Sequence, residues 1–263
     1  MYIKSLQNAR VKEAVKLRER RTRDQTGKFL IEGYRELLRA SEAGVKIDVL
    51  FICPELFLGE NEPELIQSLQ ASQEFTCSPE VFRKMSYRDR PDGLLAVAPQ
   101  RHLSLSDISF KFAPFIVIAE AIEKPGNLGT ILRTCDAVGA DALLVCDRCT
   151  DIHNPNVVRA SVGTLFTVPV IEVENEDAAQ WLEKNHIFVL AATPNAAKLY
   201  TETDLSGSIA IAFGTEQYGL SDFWLKRAQH QVRIPMKGHA DSLNVAMSTG
   251  VLLYEVLRQR GFS

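Results

Sequence analysis

Apolar and polar positions fall into two different rhythms along the chain. In the first, Val11, Ala14, Val15 and Arg18 recur at helical spacing until Gly27 breaks the run. Phe29-Leu30-Ile31-Glu32-Gly33 leads into a second helix that Gly44 closes. Val49–Ile52 predicts a buried strand bounded by Pro54, and Gly93–Ala98 another bounded by Pro99. Two short helices are expected between them, around Leu65–Leu69 and Val81–Met85. Residues 100–113 are polar and mixed, with Ser104, Ser106, Asp107 and Ser109, and read as a linker. Beyond them the second rhythm begins. Apolar runs at Phe115–Ala119, Ala142–Cys146, Thr167–Ile171, Ile187–Ala191 and Ile209–Phe213 alternate with helical patterns. Short strands that are apolar on both faces and separated by helices indicate a parallel sheet covered on both sides. Val245, Thr249, Leu252, Leu253, Val256 and Leu257 mark a long last helix ending at Gly261. The pattern therefore predicts an α/β protein of two domains, 1–99 and 114–263, joined by a linker at 100–113.

Composition narrows the class. With 263 residues and 46% hydrophobic content there is enough apolar material for two cores. No apolar stretch approaches bilayer length, and the start Met1-Tyr2-Ile3-Lys4-Ser5 lacks the apolar region of a secretory signal. A cytoplasmic protein with no membrane partner is expected. The five cysteines, Cys53, Cys77, Cys135, Cys146 and Cys149, have no regular spacing, which suits free thiols in a reducing compartment. Cys146 and Cys149 form one C-x-x-C, but the two further ligands a zinc site needs are missing at matching spacing. No metal is expected.

The formal net charge of -3 disfavours a protein that coats nucleic acid nonspecifically. Residues 1–28 run against that average, with nine Lys or Arg and three Asp or Glu. A solvated helix face would have the same letters. The asymmetry with the acidic remainder instead suggests an RNA footprint made by Arg10, Lys12, Arg18, Arg20, Arg21 and Arg23.

In a parallel α/β sheet, ligands bind beyond the carboxyl ends of the strands, so the loops there are the places to search for chemistry. The loop after Phe115–Ala119 has no G-x-G-x-x-G, and no P-loop occurs in the chain. Asn127 is placed to cap a helix whose buried stripe is Leu128, Ile131, Leu132 and Cys135, while Gly126, Thr130 and Arg133 share another face. Arg133 would add a fixed cation near the helix start; a plain surface arginine fits the same letters. A second segment, 154–163, offers Asn156 as a cap, with Arg159 and Gly163 one turn apart. The third follows Ile209–Phe213, where Gly214 and Gly219 flank Glu216 at a strand end. It continues through Ile234-Pro235-Met236 to Ser242-Leu243-Asn244 and the last helix. A carboxylate beside apolar backbone loops suits a ligand that carries a cation and an adenine ring.

These segments resemble the three motifs of the SpoU (TrmH-type) RNA 2'-O-ribose methyltransferases of the SPOUT superfamily. The matching pieces are N-L-G-T-I-L-R (127–133), N-V-V-R-A-S-V-G (156–163), and G-T-E-Q-Y-G-L (214–220) with I-P-M and S-L-N-V-A (234–246). Upstream, N-A-R-V-K, F-L-I-E-G and G-L-L-A-V are similar to the family's small RNA-binding domain, which is like ribosomal protein L30e. The resemblance implies a SPOUT catalytic domain with a C-terminal trefoil knot, a homodimer, and S-adenosylmethionine as methyl donor. It implies cofactor contacts from Thr193, Gly214, Ile234, Met236 and Leu243, and catalytic or arranging roles for Arg133, Asn127, Glu216, Ser242 and Asn244. The implied substrate is structured RNA, with ribosomal RNA favoured over transfer RNA. Two rivals have other consequences. A knotted RNA-binding module without catalysis would not need the polar motif positions, and a nicotinamide-dependent dehydrogenase would need the absent glycine fingerprint.

Overall fold

The computed structural model describes residues 1–110 and 113–261. Their contacts separate into two units. One consists of Met1–Arg101 with Asp151–Thr167, the other of the described residues in His102–Thr150 and Val168–Ser263. The reading of 114–263 as one continuous domain thus differs from the grouping found, because 17 residues of that span, 151–167, pack with the first unit.

In the first unit the chain forms β1 (Tyr2–Ile3), α1 (Ala9–Lys16), α2 (Arg20–Thr26), β2 (Lys28–Glu32) and α3 (Tyr34–Glu42). It continues through β3 (Val49–Ile52), α4 (Glu62–Leu69), β4 (Gln73–Cys77), α5 (Pro79–Met85) and β5 (Leu94–Pro99). The sheet order is β1-β4-β3-β5-β2, with β4 parallel to β1 and β3 and β5 antiparallel to β3 and β2. The strand period of two explains the unbroken apolar runs. Leu30, Phe51, Leu95 and Val97 enter a core with Val11 and Phe82. Their neighbours Phe29, Ile31, Leu50, Leu94 and Ala96 enter a core on the opposite face with Leu37 and Leu65. Each run is apolar throughout because each face has its own helical cover.

The single basic run expected at the start is two helices, the second closed by Gly27 in the left-handed region at φ 62°. Their geometry corrects the proposed footprint. Arg23 is only 1% exposed: its Nε donates to Asp151 Oδ2 at 2.7 Å, and its Nη1 donates to the carbonyls of Leu17 and Arg18 at 2.9 and 2.8 Å. A guanidinium so enclosed, with Nη2 also against Asp151 at 2.7 Å, is out of reach of RNA. Arg18 is half-buried and donates to the carbonyls of Lys84 and Ser86. Arg10, Lys12, Arg20 and Arg21 are exposed, with Arg10 beside Glu13 at 3.2 Å and Arg20 beside Asp24 at 3.6 Å.

The remaining elements are β6 (Phe115–Glu120), α6 (Pro125–Val138), β7 (Ala142–Cys146), α7 (Pro155–Ser161), β8 (Val170–Val173) and α8 (Asn175–Lys184). After them come β9 (Phe188–Ala192), β10 (Lys198–Leu199), β11 (Ile209–Phe213), α9 (Asp222–Arg227), β12 (His230–Arg233) and α10 (Val245–Arg260). All but α7 lie in the second unit, whose seven strands are parallel in the order β10-β12-β9-β11-β6-β7-β8. Every residue of β6, β7 and β11 is buried, as a sheet covered on both faces requires. The strand expected at Thr167–Ile171 is shifted to Val170–Val173, since Thr164–Phe166 forms a 3-10 turn and Pro169 has no N–H for the ladder. The sheet also gains β12, whose exposed His230 and Gln231 hide it from an apolar reading. Among the described residues no helix is long and apolar enough to cross a membrane.

Candidate active site

The site grows from the ends of β6, β9, β11 and β12. After Phe213 the chain turns through a tight hairpin, in which the Thr215 and Gly219 backbones exchange two hydrogen bonds of 3.0 Å. Tyr218 N–H donates to Thr215 Oγ1 at 2.8 Å and closes the turn. A Cβ on Gly214 would stand 2.1 Å from the Gly219 carbonyl oxygen, so only glycine lets the two sides of the hairpin approach. The far side is pinned by Glu120, a buried carboxylate at the end of β6. It accepts hydrogen bonds from Ser221 N–H at 2.7 Å, Ser221 Oγ at 2.6 Å and Asn175 Nδ2 at 3.2 Å. Asn175 Oδ1 accepts from Trp224 Nε1 at 2.7 Å and completes the network. Sequence reasoning gives Glu120 no role; a carboxylate directly at the end of an apolar strand is the available signal.

The hairpin carries Glu216 to the starts of two helices. Asn127 does not cap α6, as the sequence suggested. Lys124 is the cap position and Pro125 opens the helix, which leaves Asn127 in the first turn with its side chain free. Asn127 Nδ2 donates to Glu216 Oε1 at 3.1 Å. Asn244 is the cap of α10: its Oδ1 accepts from Ala246 N–H at 3.0 Å. Its Nδ2 is thereby turned to Glu216 Oε1 at 2.5 Å and Asn127 Oδ1 at 3.2 Å. Lys124 Nζ forms an ion pair with Glu216 Oε2. The Lys124 hydrogen bond, with help from those of Asn127 and Asn244, holds the Glu216 carboxyl below its ordinary range. Sequence reasoning missed Lys124, because its role depends on a partner 92 residues away.

Thr193, Gly214, Glu216, Ile234, Met236, Ser242 and Leu243 all line one cavity of about 420 Å³. Leu220, Val245 and Leu252 add apolar wall, and the charged lining residues are Glu216 and Asp241, with no lysine or arginine among them. Asn127 and Asn244 reach this space through Glu216 rather than by lining it. Arg133 lies on α6, exposed, its side chain without a hydrogen bond or ion pair to any described residue, and it does not line the cavity. In the 154–163 segment the cap is Asn154, not Asn156: Asn154 Oδ1 accepts from Asn156 N–H at 2.9 Å, while Asn156 Nδ2 donates to Tyr87 Oη at 3.0 Å. Cys146 is buried and Cys149 exposed, and no group of three or more His, Cys, Asp or Glu among the described residues is arranged to hold a metal.

This arrangement has counterparts. Residues 114–254 match the model of the SpoU rRNA Methylase family, and residues 8–96 match that of an MRM3-like substrate binding domain. The chain belongs to the SpoU rRNA methylase family. A crystal structure of an RNA 2'-O ribose methyltransferase is 40% identical, superimposes with a TM-score of 0.88, and is matched over 99% of both chains. The AdoMet-bound rRNA methyltransferase of Sinorhizobium meliloti is 30% identical with a TM-score of 0.89, over 98% of this chain and 97% of that one. A 23S rRNA (uridine(2479)-2'-O)-methyltransferase of Streptomyces viridochromogenes is 29% identical over 93% of this chain and 87% of its own length. The second unit accordingly has the fold of the SPOUT methyltransferases, with a separate α/β unit before it.

Proposed function

We propose that this protein transfers a methyl group from S-adenosylmethionine to a ribose 2'-hydroxyl of ribosomal RNA. The observation that carries the reading is the meeting of residues 193, 214–220 and 234–243 around one cavity whose only charged lining groups are carboxylates. The residues suit that cofactor on their own chemistry. A volume of about 420 Å³ lies in the range for a small organic ligand, roughly 300–1,000 Å³. Ile234, Met236 and Leu243 offer apolar surface for an aromatic ring, and Asp241, the lining carboxylate not paired with Lys124, favours a cation over a phosphate-bearing dinucleotide. Bound there, S-adenosylmethionine supplies an electrophilic methyl carried on a sulfonium.

The chain's own residues do the rest. A 2'-hydroxyl is a poor nucleophile at neutral pH and must lose or share its proton. A guanidinium is a poor proton acceptor, so the part of Arg133 is to orient the ribose and support the developing alkoxide, the proton passing to water or an RNA phosphate. Asn127, Glu216 and Asn244 tie the starts of α6 and α10 to the 215–219 hairpin and keep the loops in register. Ser242 and Leu243 follow from the same segment, which we read as part of the family's trefoil knot. The first unit would bind RNA, with exposed Arg10, Lys12, Arg20 and Arg21 contributing. We infer a cytoplasmic homodimer that needs no metal.

The test is methyl incorporation from labelled cofactor into ribosomal RNA taken from cells lacking the protein, with transfer RNA in parallel. Labelled, alkali-resistant dinucleotides from ribosomal RNA are expected. Incorporation into transfer RNA alone would change the substrate. Cofactor binding without methylation of either RNA would favour the non-catalytic module.

A further inference from the structure

A second cavity, of about 800 Å³, lies within the first unit between the start of α3, the turn before α4, the 88–92 segment and α7. Its rim and its floor differ in chemistry. Arg35, Arg90 and Arg159 line it and are exposed, and their side chains make no hydrogen bond or ion pair with any described residue. The carboxylates around them are mostly engaged. Glu36 pairs with Arg88 at 2.6 Å, Asp92 Oδ2 accepts from Tyr34 N–H at 2.8 Å, and Glu62 Oε1 accepts from Leu58 and Gly59 N–H at 3.1 and 2.9 Å. Asp89 is the exposed lining carboxylate whose side chain has no partner among the described residues, so the exposed rim carries Arg35, Arg90 and Arg159 against Asp89, above a buried floor of Glu36, Glu62 and Asp92 that only Arg88 offsets. Deeper, three lining residues keep a buried polar atom with no hydrogen-bond partner: Arg88 Nε, Asp92 Oδ1 and Glu62 Oε2. Glu62 and Asp92 are themselves more than nine-tenths buried. Buried polar groups are rarely left so, and a floor built of charged side chains suits a polar nucleobase better than an apolar ligand.

We propose that this cleft seats an unpaired nucleotide of the substrate RNA, with Arg35, Arg90 and Arg159 on its flanking phosphates and the base within. The inference rests on the methyltransferase reading above. It moves the centre of RNA binding away from α1 and α2, where Arg18 and Arg23 are spent on the protein itself. Single-stranded loops with splayed bases are what proteins read in RNA, and arginine forks suit phosphate. The cavity is large enough for a whole nucleotide.

The experiment measures binding of transcribed, unmodified 23S rRNA fragments to the full-length protein across a range of salt concentrations. The triple variant Arg35→Ala, Arg90→Ala, Arg159→Ala should bind at least about tenfold more weakly, with the salt slope reduced by roughly 0.7–0.9 for each phosphate it no longer neutralises. Its affinity for S-adenosylmethionine, read by calorimetry, should stay that of the parent, which shows that the second unit is intact, and an unchanged denaturant unfolding transition should show the same of the first. The charge reversal of the same three residues to Glu should abolish binding. A parent protein that binds and methylates RNA while the triple variants keep its affinity and slope would overturn the cleft proposal alone. Competition by polyglutamate as strong as by RNA would overturn it in favour of an acidic peptide ligand. A parent that binds no ribosomal RNA would bring down the functional reading as well.

Discussion

Arg23 and Arg133 present the same side chain in opposite settings. The first sits on α2 against Asp151, at 1% and 3% side-chain exposure, with its donors taken up by a carboxylate and two carbonyls. The second stands on α6 in solvent with no partner among the described residues. Their neighbouring ion pairs differ in the same way: Lys124 and Glu216 are 68% and 29% exposed. A buried guanidinium with all three nitrogens engaged is a structural element of the first unit. An exposed one whose side chain is left unpaired is available to a ligand. Removing each should therefore damage a different property.

The largest effect is expected from Arg23→Ala. It leaves Asp151 buried and uncompensated, which typically costs about 3–5 kcal/mol, read as a lower denaturant midpoint. A loss below about 1 kcal/mol would erase the contrast. Arg133→Ala should do the reverse. Its midpoint should match the parent's while kcat falls by roughly 100- to 1,000-fold, about 2.7–4 kcal/mol, with cofactor affinity retained. Full activity would remove Arg133 from the reaction. Next comes Gly214→Ala, whose added carbon meets the backbone across the hairpin. Such overpacking costs about 1–3 kcal/mol, and we expect it in cofactor affinity. Asn244→Ala loses a helix cap worth about 1 kcal/mol and one tie to Glu216, so a small fall in stability should accompany reduced turnover.

The smallest effect is one of pH. Burial pushes the Asp151 carboxyl up, but hydrogen bonds from the His153 N–H and Arg23, with the Arg23 charge, outweigh it and leave the carboxyl below its ordinary range. A carboxyl depressed in the folded state contributes its full stability above the unfolded value, about 3.9, and loses it as pH falls through the folded one. Acid titration of the unfolding free energy should thus flatten in Asp151→Asn. Glu216→Gln should leave that curve nearly unchanged, since its depressed carboxyl is solvated. Equal flattening in both variants would show the two pairs to be alike.

What the sequence reveals depends on whether the cause is local. Strands β3, β6, β7 and β11 were legible because sheets covered on both faces need short apolar runs. Strand β4 was not, since Gln73 and Glu74 are exposed. The two helix caps were misread for a reason that is itself local: Pro125 and Pro155 stand at the first helical position, which places the caps at Lys124 and Asn154. The convergence of 214–220 with 234–243 was legible only through the family resemblance, as periodicity carries no information on which loops meet. The enclosure of Arg23 was invisible because its partner is 128 residues away.

That long-range pair limits how genes of this kind can recombine. Splicing residues 1–99 of this chain onto the remainder of a relative would separate Arg23 from Asp151, and α7 from the core that holds Val158. A workable chimera has to carry 151–167 along with the amino-terminal piece, so the heritable module is discontinuous in the DNA although it is one body in space.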